Sequence, residues 1–497
     1  EVYMELIDKV IKEGGQAIVL IPEIALTYQT VRRFYGRFGD KVSVINSRLS
    51  LGERYDQFKR AKQGELQVMV GPRSALFTPF GRLRLIIIDE EHESSKSENS
   101  PRYHARETAI HRAKLEGARV ILGSATPSME AYYRAKEGEY VLVKLEARFE
   151  ERPLPRVSII DMREQLKKGN RLALSLELRE DLSQCLKKRE QAMLFLNRRG
   201  YAGFVSCRSC GHVMKCPHCD VSLSEHNGRK LICHYCGYET VKPDKCPVCS
   251  SPYIGGFKAG TQQIQQVVEK EFPEARVLRM DYDTTRAKGS YEKILSAFSR
   301  HEADILIGTQ MIVKGHDFPD VTLVGILAAD LSLNADDYRS GERTFQLLTQ
   351  AVGRAGRGRK EGHALIQTYS PDHYSIQTAA KQDYEEFYQE EMGYRLLMDY
   401  PPAAHMMAVL GSSEDEKLLE TAMHYLGLFT GKIYAGKDLH VIGPAPASVG
   451  KVKDVYRRVL YLKHENYDLL VRIKDRLEEY IEINSGFRKV NIQFDFS

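Results

Sequence analysis

Eight of the nine cysteines in this 497-residue chain fall into four Cys-x-x-Cys pairs: Cys207/Cys210, Cys216/Cys219, Cys233/Cys236 and Cys246/Cys249. A Cys-x-x-Cys turn offers two thiolates to one tetrahedral ion, and two such turns close a four-sulfur site. Eight sulfurs therefore predict two structural Zn²⁺ ions. Gly211, Pro217, Gly237 and Pro247 suit the tight turns such knuckles need. An iron–sulfur cluster or redox dithiols is the competing reading, and two four-cysteine sets fit zinc better. Spacing alone leaves open which pairs share an ion. Cys185 stands apart on a helical stretch and reads as a packing residue.

A block of this kind is too small to supply a core, so it is expected to sit on larger units. At ~150 residues per domain, the length suggests about three. With 42% hydrophobic and 28% charged residues, the mix is that of a globular protein rather than a disordered or fibrous one. The longest apolar runs, Leu85–Ile88 and Val321–Ala329, fall far short of the roughly 20 residues that span a bilayer. No secretory signal opens the chain, and clustered cysteines without one favour metal over disulfides. A cytoplasmic protein without a membrane partner is expected. The net charge of +5 is too small to indicate a partner.

Apolar runs alternate with helical segments through most of the chain. Ala17–Ile21, Leu66–Val70, Leu83–Ile88 and Arg119–Leu122 each end in a polar or Gly-rich cluster. Strands alternating with helices predict a parallel sheet, whose ligands bind at the carboxyl ends of the strands. The rhythm returns at Ala192–Leu196, breaks for the cysteines, and resumes through Ile305–Ile307 and Val321–Leu327. The expected division is a first α/β lobe over 1–146, a connector over 147–185 and a second lobe over 186–375 carrying the cysteine insertion at 205–254. The order βαββαβ over 376–497 predicts a ferredoxin-like domain. Apolar positions 2, 6, 7, 10 and 11 have helical period with no cap before them, so the chain reads as starting inside a helix.

Chemistry is concentrated at strand ends. Asp89-Glu90-Glu91-His92 follows one buried strand, and a carboxylate there can hold Mg²⁺ against phosphate while its neighbour orients water. Gly123-Ser124-Ala125-Thr126-Pro127 follows the next strand. Farther on, Gln350 precedes Gly353-Arg354-Ala355-Gly356-Arg357, and on a helix this spacing would put both guanidinium groups on one face. Permanently charged guanidinium forks suit a phosphoryl group in transfer.

In this order, the motifs resemble those of superfamily 2 helicases of the DExH type, and Ile307-Gly308-Thr309-Gln310 through Lys314-Gly315-His316-Asp317 looks like a further member of the set. Ile21-Pro22-Glu23-Ile24, Arg73-Ser74-Ala75-Leu76-Phe77, Arg102-Tyr103-His104-Ala105-Arg106, Phe195-Leu196-Asn197-Arg198-Arg199-Gly200-Tyr201 and Tyr400-Pro401-Pro402 narrow the resemblance to bacterial replication-restart helicases, over essentially the whole chain. The resemblance implies two RecA-like lobes and an ATP-dependent 3′→5′ DNA helicase that remodels stalled or D-loop forks and promotes primosome assembly. Its partners would be forked and single-stranded DNA, single-stranded DNA-binding protein, other primosome proteins and the loading machinery of the replicative helicase. Its location would be the nucleoid.

The resemblance also assigns roles. Asp89 and Glu90, with Gln350, Arg354 and Arg357, would carry out hydrolysis. Ser124, Thr126 and His92 would couple it to movement. Asp89, Gly315 and Asp317 would hold the nucleotide and its magnesium, and Pro22, Arg73, Ser74, Thr309 and Gln310 would grip DNA. Of the cysteines, the outer pairs (Cys207, Cys210, Cys246, Cys249) would share one zinc and the inner pairs (Cys216, Cys219, Cys233, Cys236) the other.

Two departures weigh on this reading. The sequence contains no Gly-x4-Gly-Lys-[Ser/Thr], so no phosphate-cradling loop is encoded in these 497 residues, and the polypeptide by itself is expected to bind ATP poorly. The stretch Glu93–Pro101 carries no aromatic, where the family has an aromatic-bearing loop coupling DNA to hydrolysis; either Tyr103 serves instead or part of that loop is absent from this chain. A non-hydrolysing DNA-binding scaffold that recruits partners through its zinc and C-terminal modules is the alternative.

Overall fold

The computed structural model describes all residues except 23–27, 48, 94–102, 146–152, 197–204, 219–220, 227–229, 234–235, 256–259, 288, 314–317, 336, 435, 437 and 497. Two compact units result: Glu1–Leu142 with Val313–Asp317, and Val143–Ile312 with Phe318–Ser497.

The first unit is built on strands β1 (Gln16–Leu20), β2 (Val42–Val44), β3 (Val68–Gly71), β4 (Leu83–Asp89) and β5 (Arg119–Gly123). They lie parallel in the order β2-β3-β1-β4-β5. Alternate residues of the same strands serve two cores, because side chains project to opposite faces. Ile18, Met69 and Ile86 pack on one face with Ala109 of the helix Ala105–Glu116. Ala17, Val68 and Ile87 pack on the other with Ile7 of the helix Val2–Lys12. Strands buried on both sides must be apolar throughout, which is why they read as continuous runs.

In the second unit, β6 (Arg156–Asp161) and β7 (Gln191–Leu196) precede the cysteine block. That block holds β8 (Ser206–Cys207), β9 (Ser224–His226), β10 (Lys230–Ile232), β11 (Glu239–Val241) and β12 (Ile254–Gly255). Strands β13 (Val277–Met280), β14 (Ile305–Gly308), β15 (Val321–Leu327) and β16 (His363–Thr368) follow. The parallel sheet runs β13-β14-β7-β15-β16-β6, so the stretch expected as a connector supplies an edge strand. The run Val157–Ile160 reads as a short strand in the sequence, but its half-buried pattern does not tell that it joins this sheet, since an edge strand packs less than its neighbours. His363 stands between Asp181 and Ser158, 2.9 Å from each, and ties β6 to the helix Leu176–Lys187.

Strands β17 (His405–Ser413), β18 (His440–Val452), β19 (Val455–His464) and β20 (Asn491–Phe496) form an antiparallel sheet in the order β18-β19-β17-β20. With helices Glu416–Ile433 and Tyr467–Ile483 between strands, this is the expected βαββαβ ferredoxin-like arrangement. Strand β18 runs well beyond the apolar stretch at Leu439–Gly443, because an edge strand tolerates Pro444 and Pro446.

This domain is fastened to the second lobe through a fully buried Arg395. Its guanidinium donates to Glu391 at 2.8 Å, to Glu342 at 2.6 Å and to the Pro401 carbonyl at 2.7 Å. Beside it Tyr338 stacks on Tyr400 with ring centroids 4.6 Å apart. Buried charges persist only when so completely paired. Among the described residues, no helix is long and apolar enough to cross a membrane.

Candidate functional site

Asp89 is the last residue of β4 and pairs with Gly123, the last of β5. The Tyr3 hydroxyl donates to the Asp89 carboxylate at 3.0 Å. Burial raises the Asp89 pKa above the usual carboxylate range, and the bond from Tyr3 opposes that rise. The Tyr3 phenol is itself pushed up, by burial first and then by the negative charge of Asp89. A side chain at position 123 would overlap the Tyr3 hydroxyl, which accounts for glycine there. Glu90 follows with φ of 51°, a left-handed conformation that a non-glycine residue adopts only when its surroundings enforce it.

The two strand-end loops are hydrogen-bonded to each other. His92 Nδ1 lies 2.6 Å from Ser124 Oγ, and that oxygen accepts the Thr126 N–H at 3.0 Å. Glu90 Oε2 is 3.6 Å from His92 Nδ1. Two contacts thus join the acidic loop to Ser124 and Thr126.

Glu91, the third acid of the cluster, faces inward. It is 4% exposed and pairs with Arg106, accepting in addition the Ser128 hydroxyl at 2.7 Å and the Ser128 N–H at 3.1 Å. Ser128 caps the helix Met129–Lys136. Glu91 thus clamps two helices to the end of β4, a role that composition does not reveal, since three consecutive acids look alike. Tyr3 was equally hidden: it lies on the apolar stripe of its helix and packs against the core around Ile7, so nothing in the sequence sets its hydroxyl apart as a partner of Asp89. The sequence block Arg102–Arg106 did mark Arg106, without a partner for it.

Among the expected DNA contacts of the first unit, Pro22 is half-buried after β1, while Arg73 and Ser74 open a 3₁₀ turn after β3, Ser74 being exposed. Phe77 in that turn meets Tyr103 edge-on at 5.0 Å. Pro22, Arg73 and Ser74 follow the carboxyl ends of β1 and β3. The Glu23–Thr27 stretch and most of the Glu93–Pro101 loop lie outside the described residues, as do Asn197–Tyr201, Gly315 and Asp317.

In the second unit, Thr309 and Gln310 directly follow β14. Gln350 lies on the helix Ser340–Val352, which ends before the two arginines. The expectation that Arg354 and Arg357 share a helical face is therefore corrected: Gly353 caps the helix, and Gly356 at φ 67° turns the chain away. A side chain at Gly356 would crowd Gly362, so the turn is also tightly packed. Arg357 Nε donates to the Gly353 carbonyl at 2.8 Å, and the turn rather than a helix orients it.

The sulfurs of Cys207, Cys210, Cys246 and Cys249 all lie within 4.8 Å of one another, with Cys207–Cys249 and Cys210–Cys246 at 3.6 Å. Metal–sulfur bonds of ~2.3 Å give a tetrahedron with edges of about 3.8 Å, so this set fits zinc. Cys216, Cys233 and Cys236 form a second group, Cys216 and Cys236 being 3.5 Å apart; Cys219 lies outside the described residues. The grouping into outer and inner pairs is as expected for these seven. The knuckles share one design. The N–H four residues after Cys207, Cys233 and Cys246 returns to the carbonyl of that cysteine. Gly211, Gly237 and Ser250 at those positions have φ of 79°, 79° and 58°. The inner group shares its core with Tyr338, Tyr400 and Met406, so metal would rigidify the joint between lobe and C-terminal domain. Cys185 packs in the core beside Thr322, and burial pushes its thiol up to about 11.

Comparison with known proteins agrees with this arrangement. Residues 2–134 match the DEAD/DEAH box helicase family and residues 253–359 the helicase conserved C-terminal domain. Residues 216–240 match the PriA DNA helicase Cys-rich region domain, and 397–496 the primosomal protein N C-terminal domain. The replication restart protein PriA of Bacillus subtilis (strain 168) is 48% identical over 499 residues, covering 100% of this chain and 62% of that protein. Its counterpart in Treponema pallidum (strain Nichols) is 37% identical over 501 residues, covering 99% and 75%. The structure of RecG bound to a three-way DNA junction aligns with a TM-score of 0.43 at 14% identity, over 80% of this chain and 45% of that one. The chain spans less than two thirds of the Bacillus subtilis protein it matches. With the helicase lobes, the cysteine module and the C-terminal domain all matched, the chain belongs to the PriA family of replication restart proteins.

Proposed function

We propose that this chain is the motor core of an ATP-driven DNA helicase that moves 3′→5′ on stalled or D-loop forks and supports primosome assembly. The observation that carries the reading is the linkage of Glu90, His92, Ser124 and Thr126 beside Asp89, at the carboxyl edge of a parallel sheet in a chain of this family. Asp89 would hold Mg²⁺, which would neutralise charge on the phosphates, and Glu90 takes the proton of the attacking water. His92, Ser124 and Thr126 pass the state of the acidic loop to the next strand end. Gln350, Arg354 and Arg357 act on the transferring phosphoryl group. Pro22, Arg73, Ser74, Thr309 and Gln310 hold the DNA backbone, contacts that carry no sequence information and suit a structure-specific enzyme. Two zinc ions, one for each cysteine group, stiffen the insertion and its joint to the C-terminal domain. Single-stranded DNA-binding protein and other primosome proteins are its protein partners.

The sequence contains no Walker A loop, so the 497 residues by themselves turn over ATP poorly. The test is ATP hydrolysis with and without forked DNA, on this chain beside one extended upstream. DNA-stimulated turnover by the extended chain alone supports the motor reading. No turnover by either favours a DNA-binding scaffold that recruits partners. Turnover by the short chain would refute the account of where phosphates bind.

A further inference from the structure

The loop after β13 is held far more firmly than an exposed turn requires. Asp281, 8% exposed, accepts the Thr261 hydroxyl at 2.6 Å and the N–H groups of Asp283 and Thr284 at 3.1 and 3.0 Å. Arg279 adds an ion pair at 3.3 Å, and the Thr285 hydroxyl donates to the Asp281 carbonyl at 2.7 Å. The same hydroxyl reaches the Met311 sulfur at 3.8 Å, in the helix Gln310–Val313. This rigid turn presents Tyr282 with 74% of its surface exposed, against the tendency of a large aromatic to bury itself. The Arg286 guanidinium lies 5.0 Å from the ring centroid, and Asp283 holds that guanidinium at 3.2 Å. An arginine over the ring leaves the ring's other face open and costs it little further ordering when something stacks there.

Location gives the partner. Met280 pairs with Gly308, so Tyr282 rises at the carboxyl edge of the sheet beside the strand that leads into Thr309 and Gln310. An aromatic face beside an exposed cation and backbone-gripping residues is the combination that binds single-stranded nucleic acid: stacking for the base, positive charge for the phosphate. We propose that Tyr282 and Arg286 form a platform on which one base of single-stranded DNA stacks, with the guanidinium taking the adjoining phosphate. The platform rests on the DNA-motor reading above and adds to it a base contact made by the second lobe. Any base has a face to stack, so the contact is blind to sequence, as a restart enzyme requires.

The test is binding of a fluorescent oligothymidylate by the full 497-residue chain, read by anisotropy across a salt series, for native protein, Tyr282→Ala, Tyr282→Phe and Arg286→Ala. Tyr282→Ala should weaken binding roughly tenfold or more, the loss expected for one stacked base. Tyr282→Phe should stay within about twofold, since stacking needs the ring and not the hydroxyl. Arg286→Ala should flatten the dependence of affinity on salt by about one phosphate contact, while Tyr282→Ala leaves that slope unchanged. On an abasic strand of equal length, native protein and Tyr282→Ala should bind alike. Native-like oligothymidylate binding by Tyr282→Ala overturns the platform and leaves the motor reading intact. Failure of the native chain to bind any DNA overturns both. Since Tyr282 is exposed, unchanged thermal unfolding of the variants shows that any loss is not misfolding.

Discussion

The hydroxyl of Tyr3 donates to Asp89 at 3.0 Å, and it fills the space that a side chain on Gly123 would need. Three segments distant in sequence, the first helix, the end of β4 and the end of β5, are joined at this one point. Gly123→Ala should therefore destabilise the first unit by ~1–3 kcal/mol, the usual cost of overpacking. In a Tyr3→Phe background the cost should fall by at least ~0.5 kcal/mol, because the two sites share a contact. Amide exchange of Ile86–Asp89 reads this locally, and strictly additive effects would show that the two residues do not meet.

Glu91 and Arg106 form a buried pair that Ser128 completes. Arg106→Met leaves the Glu91 charge without its partner and should cost ~3–5 kcal/mol in urea unfolding. Adding Glu91→Gln should recover a good part of that loss. If Arg106→Met is nearly neutral by itself, Glu91 is not clamping the two helices.

Metal content separates the ways of pairing the cysteines. Native protein should carry two zinc ions per chain by elemental analysis. Cys207→Ser with Cys249→Ser should leave one, because both lie in the outer group. Cys207→Ser with Cys216→Ser should leave none, since it damages each group once. The reverse pattern would mean that the sulfurs regroup in solution.

His373 provides a pH dependence with a definite sign. Burial, with Lys215 adding, pushes its pKa down to about 4, and its Nδ1 accepts the Ser375 N–H at 3.2 Å. The folded chain thus keeps His373 neutral where the unfolded chain, with an ordinary value of about 6.5, is already protonated. Its contribution is fully present above about pH 6.5 and is lost as pH falls toward 4, on the order of 1–2 kcal/mol by pH 5. His373→Asn, which keeps a capping acceptor, should lose that much less stability between pH 7 and pH 5. Parallel curves for the two proteins would assign the acid sensitivity to other groups.

The sequence by itself determined what depends on neighbours in the chain or on simple counting. Runs such as Leu85–Ile88 are apolar because a strand covered on both faces has no wet side, so both parallel sheets were legible. The cysteine pairs were legible because two thiolates on one turn are a local geometry. The order βαββαβ was legible from the change in period alone. Tertiary structure alone decided which strands became neighbours, that Arg156–Asp161 joined the second sheet as its edge, and that Tyr3 reached Asp89. It also separated Glu91 from Glu90, turning one acid into the core and the other out of it, and moved Arg354 and Arg357 off the helix through Gly353 and Gly356. These outcomes depend on which surfaces exclude water together and on where a buried charge finds its partner, and no spacing along the chain encodes either.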